Sequence, residues 1–313
     1  MRSAPLVLAS ALAASLLLAG CSGEEAAEPA ASGSAGSGTG AGAGSSTGLD
    51  VSGVEADEEL AALLPADVAE AGTLVVGTDA SYAPAEYIDE DGTTVVGYDV
   101  DLITAVAARL GLEADVQPAD FTGIIPAIGS RYDVGMSSFT ITAERLEQVN
   151  MISYFEAGEA YAVPAGNPDG VDPDNLCGLV VGVQTGTVED EEMEATLIPE
   201  CEAAGNPVEP LRFEAQSDVT TALVGGRADV MWADSPIIAY AVEQTGGQLE
   251  QLGDVFASAP QGVVVAKDDA ELTEAVQAAL QSLIDDGTYG EILAAWGNDA
   301  GAVETAELNP AVD

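Results

Sequence analysis

The segment Tyr132-Asp-Val-Gly-Met-Ser-Ser-Phe-Thr-Ile-Thr-Ala-Glu-Arg145 joins an apolar strand, a cluster of hydroxyl side chains and an arginine. The chain has only seven basic residues against 54 acidic ones, so an arginine at this place is not ordinary surface composition. If Thr142 caps a helix, Arg145 lies in the first turn of that helix, where the helix dipole disfavours a cation and attracts an anion. The segment therefore predicts an anion-binding site in which Arg145 contacts a carboxylate.

Patterns typical of strands and of helices alternate on both sides of this segment. Residues 99–110 have acidic side chains in the first turn, an apolar face and Gly111 at the end, which is typical of a helix. Residues 87–97, with Asp91-Gly92 at their centre, are typical of a hairpin. Such alternation predicts an α/β fold with a mostly parallel sheet covered by helices. The other predicted elements are strands at 74–77, 113–117 and 133–137 and helices near 123–129, 271–285 and 289–296.

Two short motifs occur twice and indicate two similar lobes. Leu74-Val-Val-Gly77 is repeated as Leu179-Val-Val-Gly182, and Arg131-Tyr-Asp-Val as Arg227-Ala-Asp-Val, although chance similarity between parallel strands would also explain them. Hinged α/β lobes of this kind bind small ligands in the cleft between them. We predict that the chain crosses between the lobes near 162–166 and 258–262. The predicted parts are lobe 1 at 73–162 and 263–300, lobe 2 at 163–262, and a C-terminal tail at 301–313.

The composition excludes several function classes. With 313 residues, 47% of them hydrophobic, the chain can bury a core in each of two lobes. Its formal charge of -47 repels nucleic-acid phosphates and anionic lipid headgroups, so neither is an expected partner, and the same acidity would suit solubility in high salt. The chain contains no histidine, which argues against Ser-His or Cys-His catalysis and against a structural zinc site. We therefore expect neither a metal nor a cofactor.

The N-terminal residues predict export and a lipid anchor. Arg2 precedes an apolar run at 4–19 that is too short to span a bilayer comfortably, and Leu18-Ala-Gly-Cys21 follows. This order is typical of a bacterial lipoprotein signal at 1–20 with lipidation of Cys21, and an ordinary secretory signal is the alternative. Residues 21–72 would then form a flexible Gly/Ser/Ala linker and a short acidic helix near 55–71. Cys177 and Cys201 remain as a pair in an oxidising compartment, where we expect a disulfide.

Five motifs follow one another in order along the chain: Gly77-Thr-Asp-Ala-Ser-Tyr-Ala-Pro84, Gly97-Tyr-Asp-Val-Asp-Leu102, Asp120-Phe-Thr-Gly-Ile-Ile-Pro126, Tyr132-Asp-Val-Gly-Met-Ser-Ser-Phe-Thr-Ile-Thr142 and Asp286-Gly-Thr-Tyr289. Together they resemble the polar amino-acid family of extracellular solute-binding proteins, family 3, which serve ABC importers. The resemblance covers about residues 73–297. It implies a two-lobed fold like that of the type II periplasmic binding proteins, with two hinge crossings and a ligand in the cleft.

The resemblance implies that lobe 1 holds the α-carboxylate of the ligand. Arg145 would bind it through two parallel hydrogen bonds, a geometry that lysine cannot reproduce. The hydroxyl and backbone donors of Ser137, Ser138 and Thr140 would surround the same group. A surface salt bridge from Arg145 to a neighbouring glutamate, and capping of a strand end by the serines, are the competing interpretations.

The resemblance also implies contacts for the ammonium group and the side chain of the ligand. Asp234 would bind the α-ammonium from lobe 2, although an aspartate at this place could instead cap a helix. Ser235, directly before Pro236, could take over that capping role. Asp79 would face the ligand side chain between Tyr82 and Phe121, two aromatic residues that could equally belong to the core.

Residues 183–188 match the ligand loop of the second lobe in the same family. Gln184, Gly186 and Thr187 would contact the ligand through backbone amides and a hydroxyl. Thr187 followed by Asp190 also fits a capping box, so a purely structural role stays open. Val188 replaces a hydroxyl residue that is common in the family, which leaves the contact at that position open.

The charges of these residues predict the class of ligand. Arg145 and Asp234 would match the two charges of an amino acid, which leaves Asp79 for a side-chain cation or an amide. We therefore expect arginine, lysine or ornithine, then glutamine, with glutamate and aspartate last. The resemblance implies a monomeric lipoprotein on the outer face of the cell membrane that delivers this ligand to ABC permease subunits. An extracytoplasmic enzyme of the same fold, similar to cyclohexadienyl dehydratase, and a ligand-sensing domain are the alternatives.

Overall fold

The computed structural model describes residues 48–312, and its elements follow the alternation expected from the sequence. The predictions for residues 1–47, including the signal peptide and the lipidation of Cys21, lie outside the described residues. Within 48–312, no helix is long and apolar enough to cross a membrane. The strands are β1 (Thr73–Thr78), β2 (Ser81–Tyr82), β3 (Glu86–Ile88), β4 (Val95–Val96), β5 (Glu113–Pro118), β6 (Val134–Gly135), β7 (Val149–Pro164), β8 (Val180–Gln184), β9 (Glu209–Phe213), β10 (Val230–Asp234) and β11 (Leu249–Ala266). The helices are α1 (Glu58–Ala61), α2 (Ala66–Ala71), α3 (Tyr98–Arg109), α4 (Phe121–Ala127), α5 (Ala143–Gln148), α6 (Val188–Glu192), α7 (Ile198–Ala203), α8 (Gln216–Val224), α9 (Ser235–Gln244), α10 (Ala270–Asp286) and α11 (Thr288–Ala295).

One mixed sheet passes through both lobes, with the strand order β5-β1-β6-β11-β7-β10-β8-β9. The outer strands are parallel, as predicted: β1 pairs with β5 and β6 in lobe 1, and β8 pairs with β9 and β10 in lobe 2. The two central strands, β7 and β11, are antiparallel to each other. The predicted hairpin forms two neighbouring strands, β3 and β4, of a small separate sheet with the order β2-β3-β4 in lobe 1.

The two long strands carry the chain between the lobes without a break. The first half of β7 pairs with the end of β11 in lobe 1, whereas Glu159–Ala162 pair with β10 in lobe 2. The crossings therefore lie near 156–159 and 256–260. The first differs from the predicted place at 162–166, because β7 is already paired with the second lobe there and stays extended through the hinge.

The apolar core of lobe 1 continues into α8 and α9 of lobe 2, and lobe 2 has a second core of its own. In lobe 1, the buried face of α3 supplies Leu102, Ile103 and Val106, as the periodicity of residues 99–110 predicted. Complete burial of such a side chain contributes about 1.5–3 kcal/mol to folding. Lobe 2 packs the valines of β8 and β10 around Trp232. The disulfide between Cys177 and Cys201 is present at the edge of this second core, with its sulfur atoms 2.04 Å apart.

Two segments that the sequence analysis left outside the lobes belong to lobe 1. Before Thr73, the apolar side chains of residues 49–64 pack against the lobe 1 core, and the backbone amide of Leu49 donates to Asp101 over 3.1 Å. The predicted acidic helix near 55–71 is two short helices, because Pro65 separates α1 from α2. At the other end, Ser153 and Glu307 are paired by two hydrogen bonds of 2.9 and 3.0 Å. The predicted tail is thus bound to β7.

Candidate functional site

The candidate site lies between the lobes, where the parallel strands of both end. Since β1 and β6 end on one side of the cleft and β8 and β10 on the other, the residues that follow them face each other. A small cavity lies between them. Of the predicted ligand residues, all except Gly186 line this cavity. The lining consists of Asp79, Tyr82, Phe121, Ser137, Ser138, Thr140, Arg145, Gln184, Thr187, Val188, Glu189 and Asp234.

Arg145 is held in the cleft by the start of α5. Thr142 caps this helix as predicted, and its Oγ1 accepts a hydrogen bond of 3.2 Å from the backbone amide of Arg145. The guanidinium donates to the carbonyl of Thr140 over 2.9 Å and, across the cleft, to the carbonyl of Gly186 over 3.2 Å. Within residues 48–312 the ion pairs are formed by Arg109 and Arg212, so Arg145 is not a surface salt bridge. Its burial lowers its pKa, because the charged guanidinium has lost water.

The neighbouring serines differ in what they offer to a ligand. Ser137 is already engaged: its hydroxyl accepts from the amide of Asp79 and donates to Glu86, each over 2.9 Å. The hydroxyl of Ser138 is buried and has no hydrogen-bond partner among the described residues. Ser138 also has a positive φ of 49°, a conformation that residues other than glycine adopt uncommonly. Ser138 therefore lines the cavity with an unpaired hydroxyl that lies close to Tyr98 and Asp99, while Ser137 orders the wall behind it.

Asp234 faces the cavity instead of capping a helix. It precedes α9, but its carboxylate makes no capping hydrogen bond, and Ser235, which was expected to cap, is the first residue of the helix. Oδ2 of Asp234 accepts from the hydroxyl of Tyr82 and from Nε2 of Gln261, each over 2.9 Å. Burial and the nearby carboxylate of Glu189 raise the pKa of Asp234 well above its usual value.

Asp79 also lines the cavity, where it is bound by the backbone of Phe121 and the side chain of Gln184. Its Oδ2 accepts from the amide of Phe121 over 3.0 Å and from Nε2 of Gln184 over 2.9 Å. Burial raises the pKa of Asp79. The ring of Phe121 stacks on Phe139, with centroids 4.8 Å apart and an interplanar angle of 22°. Of the two predicted aromatic residues, Phe121 lines the cavity with its ring between Phe139 and Arg145, whose Cζ lies 5.6 Å from the ring centroid. Tyr82 binds Asp234 through its hydroxyl.

The loop after β8 is stabilised by its own capping contacts. Oγ1 of Thr187 accepts from the amide of Asp190 over 3.4 Å and donates to the carbonyl of Gln184 over 3.0 Å. The amide of Gly186 donates to the carboxylate of Asp190 over 3.0 Å. Gly186 contacts Arg145 through its carbonyl and does not itself line the cavity. Thr187 therefore caps α6, as the alternative interpretation predicted, and it also lies on the cavity wall.

Two lining residues, Val188 and Glu189, were not among the predicted ligand residues. Val188 had been left open, and its side chain lies on the cavity wall. Glu189 is 1% exposed, and its Oε1 has no hydrogen-bond partner among the described residues. Glu189 was not predicted because it belongs to a run of four acidic residues, 189–192, that is typical of a solvated helix start. Its place two residues after the cap Thr187, on a helix that begins at the cleft, is the signal that could have separated it from the other three acids.

The lobes are closed onto each other in this structure. Hydrogen bonds cross the cleft from Tyr82 to Asp234, from Gln184 to Asp79 and from Arg145 to the carbonyl of Gly186. No group of three or more Cys, Asp or Glu side chains within 48–312 is arranged to hold a metal ion. Side chains of both charges therefore line a closed cleft between the lobes.

The comparisons with known proteins agree with this geometry. Residues 74–299 match the family of bacterial extracellular solute-binding proteins, family 3. The chain belongs to this family. The arginine-binding protein ArgT of Corynebacterium glutamicum is 37% identical over 253 residues, which are 80% of this chain and 83% of that protein.

Solved structures of family 3 relatives have the same two-lobed fold. An ancestral arginine-binding protein, determined with arginine and also with glutamine, is 36% identical with a TM-score of 0.66, over 72% of this chain and 98% of its own. An ancestral amino acid-binding protein, a precursor of cyclohexadienyl dehydratase, is 32% identical with a TM-score of 0.66, over 74% of this chain and 97% of its own. The family 3 protein described here is thus an extracytoplasmic solute-binding protein of type II fold.

Proposed function

We propose that this family 3 protein captures a cationic amino acid, arginine first, in the cleft between its lobes and presents it to an ABC permease. The observation that carries the proposal is the charge of the cavity wall within residues 48–312. One basic side chain, Arg145, faces three buried acidic ones, Asp79, Glu189 and Asp234. A ligand with one anionic and two cationic groups complements this wall best.

The backbone end of the ligand would span the cleft. Its α-carboxylate would lie against Arg145 and the free hydroxyl of Ser138, because both are donors in lobe 1. Its α-ammonium would lie against Asp234 in lobe 2. Both ligand charges then replace water with a fixed partner of opposite sign, so binding favours the closed arrangement of the lobes.

The side chain of the ligand would extend towards Asp79. A guanidinium or ammonium there would pair with the carboxylate and lie over the ring of Phe121, a cation-π contact of about 0.5–2 kcal/mol. Glutamine is the second candidate, because its amide could donate to Asp79 and interact with Gln184. Glutamate would place a carboxylate beside Asp79, so we expect it to bind least.

The relatives support this order of ligands. ArgT and the ancestral protein are named for arginine, and the ancestral protein was also determined with glutamine. Their family serves importers, which together with residues 1–21 supports a lipoprotein anchored through Cys21, working as a monomer on the outer face of the membrane. The permease subunits would then recognise the closed lobes.

A second candidate is an enzyme of dehydratase type. The relative that is a precursor of cyclohexadienyl dehydratase raises this possibility, and buried carboxyl groups with raised pKa values, as at Asp234, suit acid catalysis. Incubation with a carboxylated cyclohexadiene tests it, since turnover would favour the enzyme.

Titration calorimetry tests the primary proposal directly. The purified protein is titrated with L-arginine, L-lysine, L-ornithine, L-glutamine and L-glutamate under one buffer condition. We expect arginine to bind most tightly, glutamine more weakly, and glutamate not at all. Tight binding of glutamate without binding of arginine would overturn the proposed ligand class.

A further inference from the structure

We propose that Glu86 and Asp99 form one positioning unit behind the site, a pair of buried carboxyl groups that share a single proton and hold Ser137 and Ser138 in place for the ligand. Neither residue lines the cavity. The inference rests on the proposed function only for its binding readout, because the pairing itself is a property of lobe 1.

The first step of the argument is that the pair lacks a cation. Glu86 on β3 and Asp99 in the first turn of α3 are 0% and 1% exposed. The ion pairs within residues 48–312 are formed by Arg109 and Arg212, so neither carboxyl group is neutralised by a base there. Two buried anions without a counter-charge would be strongly unfavourable, which requires another arrangement.

The second step concerns the two inner oxygens. The carboxyl groups of Glu86 and Asp99 are near neighbours that shift each other's pKa. Oε2 of Glu86 and Oδ1 of Asp99 are buried and have no donor among the described residues. Carboxylate oxygens only accept, so these two can satisfy each other only if a proton lies between them. The geometry therefore indicates one shared proton for the pair.

The third step concerns the two outer oxygens, which hold the site. Oε1 of Glu86 accepts from the hydroxyl of Ser137 over 2.9 Å. Oδ2 of Asp99 accepts from the backbone amide of Ser138 over 3.0 Å and from the hydroxyl of Tyr154 over 2.6 Å. The pair therefore fixes two consecutive residues of the cavity wall at once.

Ser138 makes this support necessary. Its φ of 49° is disfavoured for a residue with a side chain, so the conformation persists only where neighbouring contacts impose it. The bond to Asp99 is such a contact. Because the hydroxyl of Ser138 is the free donor of the cavity, a change at Asp99 would be transmitted to the ligand carboxylate.

The surroundings of the pair predict how it titrates. Within the described residues, the titratable groups that face it are Asp79 after β1, Tyr98 in α3 and Tyr154 in β7, none of which is a base. Burial raises the pKa values of both carboxyl groups, that of Asp99 to about 6. Loss of the shared proton at alkaline pH would leave two adjacent negative charges, so the serines would be displaced and ligand affinity would fall.

A double-mutant cycle with Glu86→Gln and Asp99→Asn tests the shared proton. In either single variant, an amide replaces one carboxyl group and donates to the remaining carboxylate, so the inner contact and the outer acceptors are kept. We expect each single variant to bind L-arginine within about threefold of the wild type at pH 7. The double variant places two amides face to face, and we expect its affinity to be at least tenfold lower, a strongly non-additive result.

Two further readouts separate positioning from general stability. The wild type should lose affinity at alkaline pH more steeply than Glu86→Gln, which has no shared proton to lose. The infrared difference spectrum between the wild type and Glu86→Gln at pH 7 should contain the band of a protonated carboxyl group. Additive effects in the cycle, or equal alkaline profiles, would overturn the inference. If the wild type does not bind arginine, the ligand proposal fails, and the same cycle read by thermal unfolding without ligand then decides the inference.

Discussion

The two faces of the cleft carry different buried charged side chains. On the lobe 1 face, Arg145 is fixed by the capped start of α5, and a free hydroxyl at Ser138 lies beside it. On the lobe 2 face, Asp234 and Glu189 line the cavity, and Glu159 is buried next to Asp234 in the sheet. Lobe 1 thus presents a guanidinium and hydroxyl groups as well as the carboxylate of Asp79, whereas the charged groups that lobe 2 presents are both carboxylates.

The two faces also differ in the groups that surround their buried acids. The acids behind the lobe 1 face receive hydrogen bonds from Ser137, Ser138 and Tyr154. In lobe 2, burial and repulsion from Glu189 raise the pKa values of Glu159 and Asp234, and both lobes contain buried carboxyl oxygens without a donor among the described residues. Under the proposed function, lobe 1 would bind the anionic group of the ligand and lobe 2 its α-ammonium group. A ligand with both charges would contact both faces at once only when the lobes are closed.

Replacement of Arg145 by alanine would remove the anion site of lobe 1. We expect the largest effect here, a loss of more than about 100-fold in arginine affinity, because truncation of one partner of a buried charge pair costs about 2–5 kcal/mol. Calorimetry measures the loss. Arg145→Lys should not restore it, since lysine lacks the planar pair of donors. The control is Arg131→Ala, an exposed arginine whose removal should leave the affinity unchanged; retained binding in Arg145→Ala would remove the anion-site assignment.

Replacement of Asp234 by asparagine would remove the principal charge of the lobe 2 face while keeping its shape. The hydrogen bonds from Tyr82 and Gln261 can still be accepted by the amide oxygen, so the fold should persist. We expect about 30-fold weaker arginine binding, corresponding to ~2 kcal/mol. Asp254→Asn, an exposed aspartate on β11, is the matched control. Equal affinities for the two variants would contradict the role of Asp234.

Replacement of Glu189 by glutamine should change selectivity more than affinity. The amide fills the same space but removes one of three negative charges from the cavity wall. We expect arginine to bind about three- to tenfold more weakly and glutamine to bind almost as before, so the preference for the cation narrows. Competition calorimetry measures the ratio of the arginine affinity to the glutamine affinity. Glu192→Gln is the control, because Glu192 lies exposed on the same helix. If the ratio of the two affinities is unchanged, Glu189 does not contribute to the selectivity of the site.

The alternation of strands and helices and the residues of the lobe 1 face could be predicted from the sequence. Arg145 could be placed because a helix cap, Thr142, and a strand end fix its position locally. The same is true of the buried face of α3, whose apolar spacing follows the helical period. Features determined by neighbours in sequence were therefore predictable.

Contacts between distant residues were not predictable in the same way. The hydrogen bond of Tyr82 to Asp234 joins residues 152 positions apart, and no local pattern encodes it. Which acid of the run 189–192 turns inward depends on the packing of α6. The first hinge crossing was placed too late, because a strand can pass from one lobe to the other without any change in its pattern.

The smallest expected effect concerns Glu159, which lies behind Asp234 and does not line the cavity. Burial, then repulsion from Glu189, raises the pKa of Glu159 to about 8. The folded protein therefore binds this proton more tightly than the unfolded chain, so the stabilisation that it provides is lost as the pH rises through about 8. We expect the melting temperature of the ligand-free protein to fall between pH 6 and 9.

Glu159→Gln should reduce this fall, because its amide oxygen can still accept the hydrogen bond of 2.7 Å from Nε1 of Trp232 and carries no charge at any pH. We expect a difference of about 1 kcal/mol at pH 9, equivalent to ~2–4 °C in melting temperature. Glu156→Gln, exposed on the same strand, should follow the wild-type profile. Parallel profiles for all three proteins would mean that the crowding of carboxylates in lobe 2 has no energetic consequence, and the contrast between the two faces of the cleft would then rest on geometry alone.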